Sequence, residues 1–140
     1  YEKTELVIRN PKSVRPWQHV LDPILGYIEL AKKLDSNPEK FQGSWNFGPD
    51  ETTPISVQEI IEIINNTGLK FQIRVQNDIT QKESKFLQLD ISKSKNLLNW
   101  KPKWCAEDSI EHTINWYKDF YNKIPAQNLI INDLEKYFKK

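Results

Sequence analysis

Ile8-Arg9-Asn10-Pro11-Lys12-Ser13-Val14-Arg15-Pro16-Trp17-Gln18-His19-Val20-Leu21-Asp22-Pro23 joins the end of a strand to the start of a helix and so sets the α/β character of the chain. It begins on the last residue of a short apolar run, Glu5 to Ile8, which reads as a strand stopped by Asn10-Pro11. It ends on Asp22-Pro23, the pattern of an N-cap followed by proline at the first helical position. The helix so opened is expected to run to about Leu34, with Ile24, Ile28 and Ala31 on its buried face, before Asp35-Ser36-Asn37-Pro38 stops it.

Beyond that helix, Ser44 to Phe47 reads as a second strand closed by Gly48-Pro49. Ser56-Val57-Gln58-Glu59 is a capping box with Ile55 and Ile60 placed as a hydrophobic staple. The helix behind it carries the stripe Val57, Ile60, Ile61, Ile64 and ends at Gly68, a C-terminal glycine cap. Phe71 to Val75 alternates apolar and polar and predicts a strand with one wet face; Phe86 to Leu89 predicts another. Asp90 or Ser92 opens a brief helix to Leu98, and a longer one follows from about Glu107 to Tyr121, with Ile110, Ile114, Tyr117 and Tyr121 inward. After Pro125 a last helix is expected over Gln127 to Phe138, with Ile130, Leu134 and Tyr137/Phe138 inward. This order of strands and helices is mixed α/β. The strand–helix–strand start permits a parallel pair, which normally belongs to a larger, covered sheet.

The chain has 140 residues, enough for one domain or a piece of a larger one. Twenty Lys+Arg against nineteen Asp+Glu leave +1, and only Arg9, Arg15 and Arg74 are arginine, so the footprint of a nucleic-acid binder is missing. No apolar run approaches the ~18 residues of a membrane span. One cysteine, Cys105, allows no internal disulfide, fits a reducing compartment, and has no partner base that would make it a nucleophile. His19 and His112 with that one cysteine make no zinc spacing, so no metal is expected. His19 reads as a satisfied core histidine, and Trp17, Trp100, Trp104 and Trp116 as packing rather than a stacking platform. Methionine is absent and the chain opens on Tyr1-Glu2-Lys3, which reads as an excised portion of a longer protein.

Two cofactor patterns are testable by inspection. Of Gly26, Gly43, Gly48 and Gly68 no two are two apart, so no G-x-G-x-x-G fingerprint exists. Gly43 and Gly48 have phosphate-loop spacing, but Pro49-Asp50 follows where Lys and Ser/Thr are needed. No tyrosine is followed four residues on by lysine, so the Tyr-x-x-x-Lys acid–base pair is absent as well.

The quoted stretch, with Gly26-Tyr27-Ile28-Glu29-Leu30-Ala31, Asn46-Phe47-Gly48-Pro49, Leu89-Asp90-Ile91-Ser92-Lys93, Leu98-Asn99-Trp100-Lys101-Pro102 and Thr113-Ile114-Asn115-Trp116-Tyr117, resembles the C-terminal portion of the CDP-glucose 4,6-dehydratases. These belong to the extended short-chain dehydrogenase/reductase family of nucleotide-sugar enzymes. The likeness is collinear over nearly the whole chain, and Arg15-Pro16-Trp17-Gln18-His19-Val20 is its most specific part, because sister enzymes usually read Arg-Asp-Trp or Arg-Asp-Tyr there. The resemblance implies an α/β fold: late strand and helix elements of a Rossmann-type dehydratase, about 14–68, and a small α+β substrate lobe, about 69–140. It implies an N-terminal domain, outside this chain, that binds NAD and carries the catalytic pair. The whole enzyme would convert CDP-glucose to CDP-4-keto-6-deoxyglucose in an internal redox cycle, in the cytoplasm and as a homodimer, and this chain alone would be inactive. A stand-alone binding module and a sister epimerase or dehydratase are the alternatives.

Within the resemblance, Arg15 is the candidate for the diphosphate, since a guanidinium suits bidentate phosphate recognition. Arg9 either stacks on the cytosine or is an edge-strand cation. Glu83 either takes a ribose hydroxyl or is a solvated loop carboxylate; the family's His-Glu-Ala-like stretch is Lys82-Glu83-Ser84 here, so only the glutamate is kept.

Overall fold

The computed structural model describes residues 5–50, 54–69, 71–76 and 84–139. Eight elements follow in order: β1 (Leu6–Ile8), α1 (Leu21–Ser36), α2 (Pro38–Phe41), α3 (Val57–Asn66), β2 (Ile73–Val75), α4 (Ser92–Leu98), α5 (Ala106–Tyr121) and α6 (Ala126–Phe138). β1 and β2 pair in parallel, with Leu6 opposite Ile73 and Ile8 opposite Val75. The ladder extends one bond at each end, Leu6 N–H to Gln72 O at 2.8 Å and Gln76 N–H to Ile8 O at 2.8 Å. Glu5 and Arg74 pair across it at 2.7 Å. The parallel pair therefore forms, but from the first and third predicted strands. The dry face expected for Phe71 to Val75 does not: Phe71, Ile73 and Val75 are all exposed, as are Leu6 and Val7, and of the residues paired in this ribbon only Ile8 is buried.

Ser44–Phe47 and Phe86–Leu89 are not strands. Their hydrogen bonds run largely to side chains. Gln18 Nε2 donates to Phe47 O at 2.9 Å, Ser94 Oγ to Asn46 O, and Asn46 Nδ2 to Asp90 O at 3.1 Å. Phe86 makes only an isolated bridge, to Val14.

The helices are where the sequence places them, but three are rotated. In α1 the buried residues are Asp22 and Gly26, while Ile24, Ile28 and Ala31 are exposed. The close approach of Phe47 selects this face: a Cβ on Gly26 would stand 2.3 Å from the Phe47 ring. Nor is Asp22 the cap. The helix starts at Leu21, Val20 precedes it without a side-chain bond, and the Asp22 carboxylate is fully buried. In α5, Ser109 and Ile110 are buried but Tyr117 and Tyr121 are exposed. In α6 the inward residues are Leu129, Asp133 and Tyr137, one position before the expected Ile130 stripe; Phe138 is exposed. α2, which the sequence reading passes over, is capped by Asn37, whose side chain accepts from Lys40 N–H at 3.1 Å.

The core is aromatic. Phe41, Phe47, Ile91, Leu98 and Trp100 are buried together, with Leu30, Leu34, Trp45 and Leu89 packed against them. Phe47 meets Trp100 edge-on at 4.9 Å. α3 packs on α5, and α5 on α6. No helix among the described residues is long and apolar enough to cross a membrane.

Candidate functional site

The segment 11–17 is held on two sides. Ser13 O accepts from Val57 N–H at 3.0 Å and Pro11 O from Gln58 N–H at 2.9 Å, so the open N-terminal amides of α3 are used to anchor it. The capping box makes those amides available: Ser56 N–H donates to Glu59 Oε2 at 2.7 Å and Glu59 N–H to Ser56 Oγ at 3.3 Å. The Ser56 hydroxyl, which donates to the same carboxylate oxygen at 2.6 Å, and the Ser56 N–H together hold the Glu59 carboxyl below its ordinary pKa. On the other side Val14 N–H donates to Lys85 O at 2.9 Å and Leu87 N–H to Val14 O at 3.3 Å. Arg15 follows at once, half-buried. Its Nη1 donates to Val14 O at 2.8 Å and Ser84 O at 3.0 Å, which orients the guanidinium plane.

Arg15 lines an open cleft of about 590 Å³, walled by 14–17 on one side, α3 on another, and on a third the connector from Pro102 to Cys105 with the first turn of α5. Asp50, Glu59, Glu62 and Glu107 also line it, so it carries more carboxylate than cation. Asp50 is paired with Lys95 at 2.6 Å, and Glu62 accepts from Gln58 Nε2 at 3.1 Å. A second groove of about 550 Å³ shares Ile63, Asn66 and Glu107 with the first and continues between α3 and α5 to Lys118. A ligand seated here would meet a fixed guanidinium at one end and carboxylate acceptors along the helices. That combination suits an anionic group attached to hydroxyl-bearing rings.

Of the residues singled out from sequence, the structure brings Arg15 to the cleft. Arg9 is exposed just past β1 and is not among the lining residues; Glu83 lies outside the described residues. Glu62, Lys103 and Glu107 were not legible; Trp104, read from sequence as packing, does pack against His19, His112 and Tyr137 and also lines the cleft. Locally Glu62 is a solvent-face residue of an amphipathic helix and Glu107 a first-turn acid; only the packing of α3 on α5 turns them to one space.

Behind the connector lies a buried polar cluster. Asp22 Oδ1 accepts from Lys103 N–H at 2.8 Å and from the Tyr137 hydroxyl. Burial and this carboxylate push the Tyr137 phenol far above its ordinary pKa. His19 Nδ1 accepts from Leu21 N–H at 3.3 Å, and its ring meets Trp104 edge-on at 4.6 Å. His112 stacks on the same indole at 4.0 Å. His19 is thus the satisfied core histidine expected. Burial lowers its pKa, against the pull of Asp133 and Asp22. Cys105 Sγ caps α5 by accepting from Asp108 N–H at 3.4 Å, and partial burial raises its pKa, the reverse of an activated thiol. Among the described residues no three His, Cys, Asp or Glu side chains are grouped to hold a metal ion.

No family model matches the sequence. The chain is 35% identical over 115 residues to CDP-glucose 4,6-dehydratase of Salmonella typhimurium, covering 81% of this chain and 32% of that enzyme. It is 38% identical over 118 residues to UDP-glucuronate 4-epimerase of Thermodesulfobacterium geofontis, covering 84% and 34%. The chain thus spans about a third of the length of the curated relatives it matches. Its fold is that of part of UDP-glucuronic acid 4-epimerase from Bacillus cereus, solved with UDP-glucuronic acid and NAD (TM-score 0.70, 23% identity, 86% of this chain and 37% of that one). It also matches UDP-glucose-4-epimerase from Stenotrophomonas maltophila, solved with NAD and formylated UDP-arabinopyranose (TM-score 0.70, 19% identity, 86% and 37%). The architecture is therefore that of a portion of those Rossmann-type folds. Those neighbours carry NAD. The four glycines of this chain supply no loop for it.

Proposed function

We propose that this chain is the C-terminal, nucleotide-sugar-binding part of an extended short-chain dehydrogenase/reductase, and specifically of a cytoplasmic, homodimeric CDP-glucose 4,6-dehydratase. The observation that carries the reading is Arg15, held by two backbone carbonyls at the wall of the cleft, within the most specific stretch of the resemblance. In this reading Arg15 takes the diphosphate. Glu62 and Glu107 accept from sugar hydroxyls, Arg9 stacks beside the base, and Glu83 takes a ribose hydroxyl. Residues 14–68 pack with the Rossmann part and 69–140 form the substrate lobe. NAD supplies the redox chemistry that turns CDP-glucose into CDP-4-keto-6-deoxyglucose. This chain contributes no residue to holding NAD and none to catalysis; its work is to bind and orient the substrate, and alone it is inactive.

A second reading, a UDP-sugar 4-epimerase, is favoured by the 38% relative and by the solved neighbours. Calorimetric titration of the chain with CDP, UDP and ADP separates the two. CDP is expected to bind selectively, and Arg15→Ala to weaken it at least tenfold, because a charge-assisted hydrogen bond contributes about 1.5–3 kcal/mol. Preference for UDP moves the assignment to the epimerase. A folded chain that binds none of the three refutes the nucleotide cleft.

A further inference from the structure

Asp22 is the only charged side chain among the described residues with no exposure at all, and the proposed binding role leaves it unused. Leaving a carboxylate in the interior is costly unless its oxygens are satisfied. Here a single oxygen, Oδ1, takes both donors. One is the backbone N–H of Lys103, 81 residues away, and the other the hydroxyl of Tyr137, 115 residues away. Oδ2 is buried without a protein partner. Three parts of the chain therefore meet at one atom: α1, the connector between α4 and α5, and α6.

The connector is also a wall of the cleft. Pro102, Lys103, Trp104 and Cys105 line it, followed by Ala106 and Glu107 of the first turn of α5. Lys103 is tied a second time, through its ammonium to Tyr137 O and, at 2.9 Å, to Lys139 O. Trp104, next in the chain, is wedged against Tyr137 at 5.0 Å and His19 at 4.6 Å. The backbone bond from Lys103 to Asp22 is thus the fixed point from which Trp104 to Glu107 project toward the ligand space.

We infer that Asp22 is a positioning residue: through Lys103 N–H it sets where the Lys103–Glu107 wall stands, and so the width of the cleft opposite Arg15. For the ligand this rests on the nucleotide reading above; for the wall it does not.

The two parts are separable by experiment on the whole chain. Cys105 is its single cysteine and is exposed, so the rate at which a thiol reagent modifies it reports the connector directly. Asp22→Ala is expected to raise that rate severalfold where circular dichroism still shows native helix, and to weaken CDP at least tenfold. Asp22→Asn is expected to restore both to within about threefold, because an amide oxygen accepts the same two donors and the amide nitrogen takes the place of Oδ2. Tyr137→Phe, which removes one donor, is expected to raise the thiol rate less than alanine does. A folded Asp22→Ala with wild-type thiol rate and affinity overturns the inference, as does an asparagine variant that behaves like alanine. Should Asp22→Ala not fold, Tyr137→Phe decides: an unchanged thiol rate makes Asp22 structural only. If the wild type binds no nucleotide, the proposed function fails while the thiol rates still decide the positioning role.

Discussion

Gly26 lies inside α1, where alanine would ordinarily stabilise the helix by about 1 kcal/mol. Here the sign reverses. An added Cβ would stand 2.3 and 2.6 Å from two carbons of the Phe47 ring, which is itself fixed edge-on against Trp100. Overpacking of this kind costs about 1–3 kcal/mol. Gly26→Ala is therefore expected to lower stability in a urea melt, and pairing it with Phe47→Leu to recover part of the loss. The cycle should be non-additive, since the two groups touch. An additive result would place the strain elsewhere. The same scale shows what local sequence can hide. Asp22-Pro23 has the pattern of a helix cap, yet the aspartate serves Lys103 and Tyr137. Nothing within ten residues of it carries that information. Arg15 was legible because its neighbours in the chain, not in space, mark it.

At the scale of elements, α3 is the clearest case of agreement, because both its ends are written locally. Ser56 and Glu59 close the capping box, and Gly68 adopts φ +87 just past the last turn, a conformation glycine reaches without strain. Ser56→Ala is expected to cost about 1 kcal/mol, within the roughly 0.5–2 kcal/mol range of lost caps, measured by chemical denaturation. It should also loosen Arg15, since Val57 and Gln58 N–H hold the segment before it. A variant with wild-type stability would show that those backbone bonds suffice without the cap. The rotated helices failed for a common reason. Leu129, Ile130 and Ile131 offer α6 more than one apolar phase, and the burial of Asp133 and Tyr137 chooses between them. Ser44–Phe47 and Phe86–Leu89 have strand composition, but their backbone groups are met mainly by Gln18, Ser94, Asn46 and the lone bridge to Val14, so no ladder grows.

Over the whole molecule, the aromatic core holds α1, α2 and α4, whereas α5 and α6 join α1 through the polar ring cluster of His19, Trp104, His112, Tyr137, Asp22 and Asp133. That junction titrates. His19 feels the charges of Asp22 from α1 and Asp133 from α6 and the imidazole of His112 from α5, and burial outweighs the two carboxylates to place its pKa below the ordinary 6.5. The unfolded chain therefore takes up this proton first as pH falls. The contribution of neutral His19 is fully present above about pH 6.5 and is lost as pH drops from there through the lower folded value. Melting temperature is accordingly expected to decline between pH 7.5 and 5 in a series at constant ionic strength. His19→Asn can still accept the Leu21 N–H but cannot titrate, so it should flatten that decline without abolishing the fold. If the asparagine variant keeps the wild-type slope, the proton is taken up elsewhere, and the joint between α1 and the last two helices does not depend on the charge of His19.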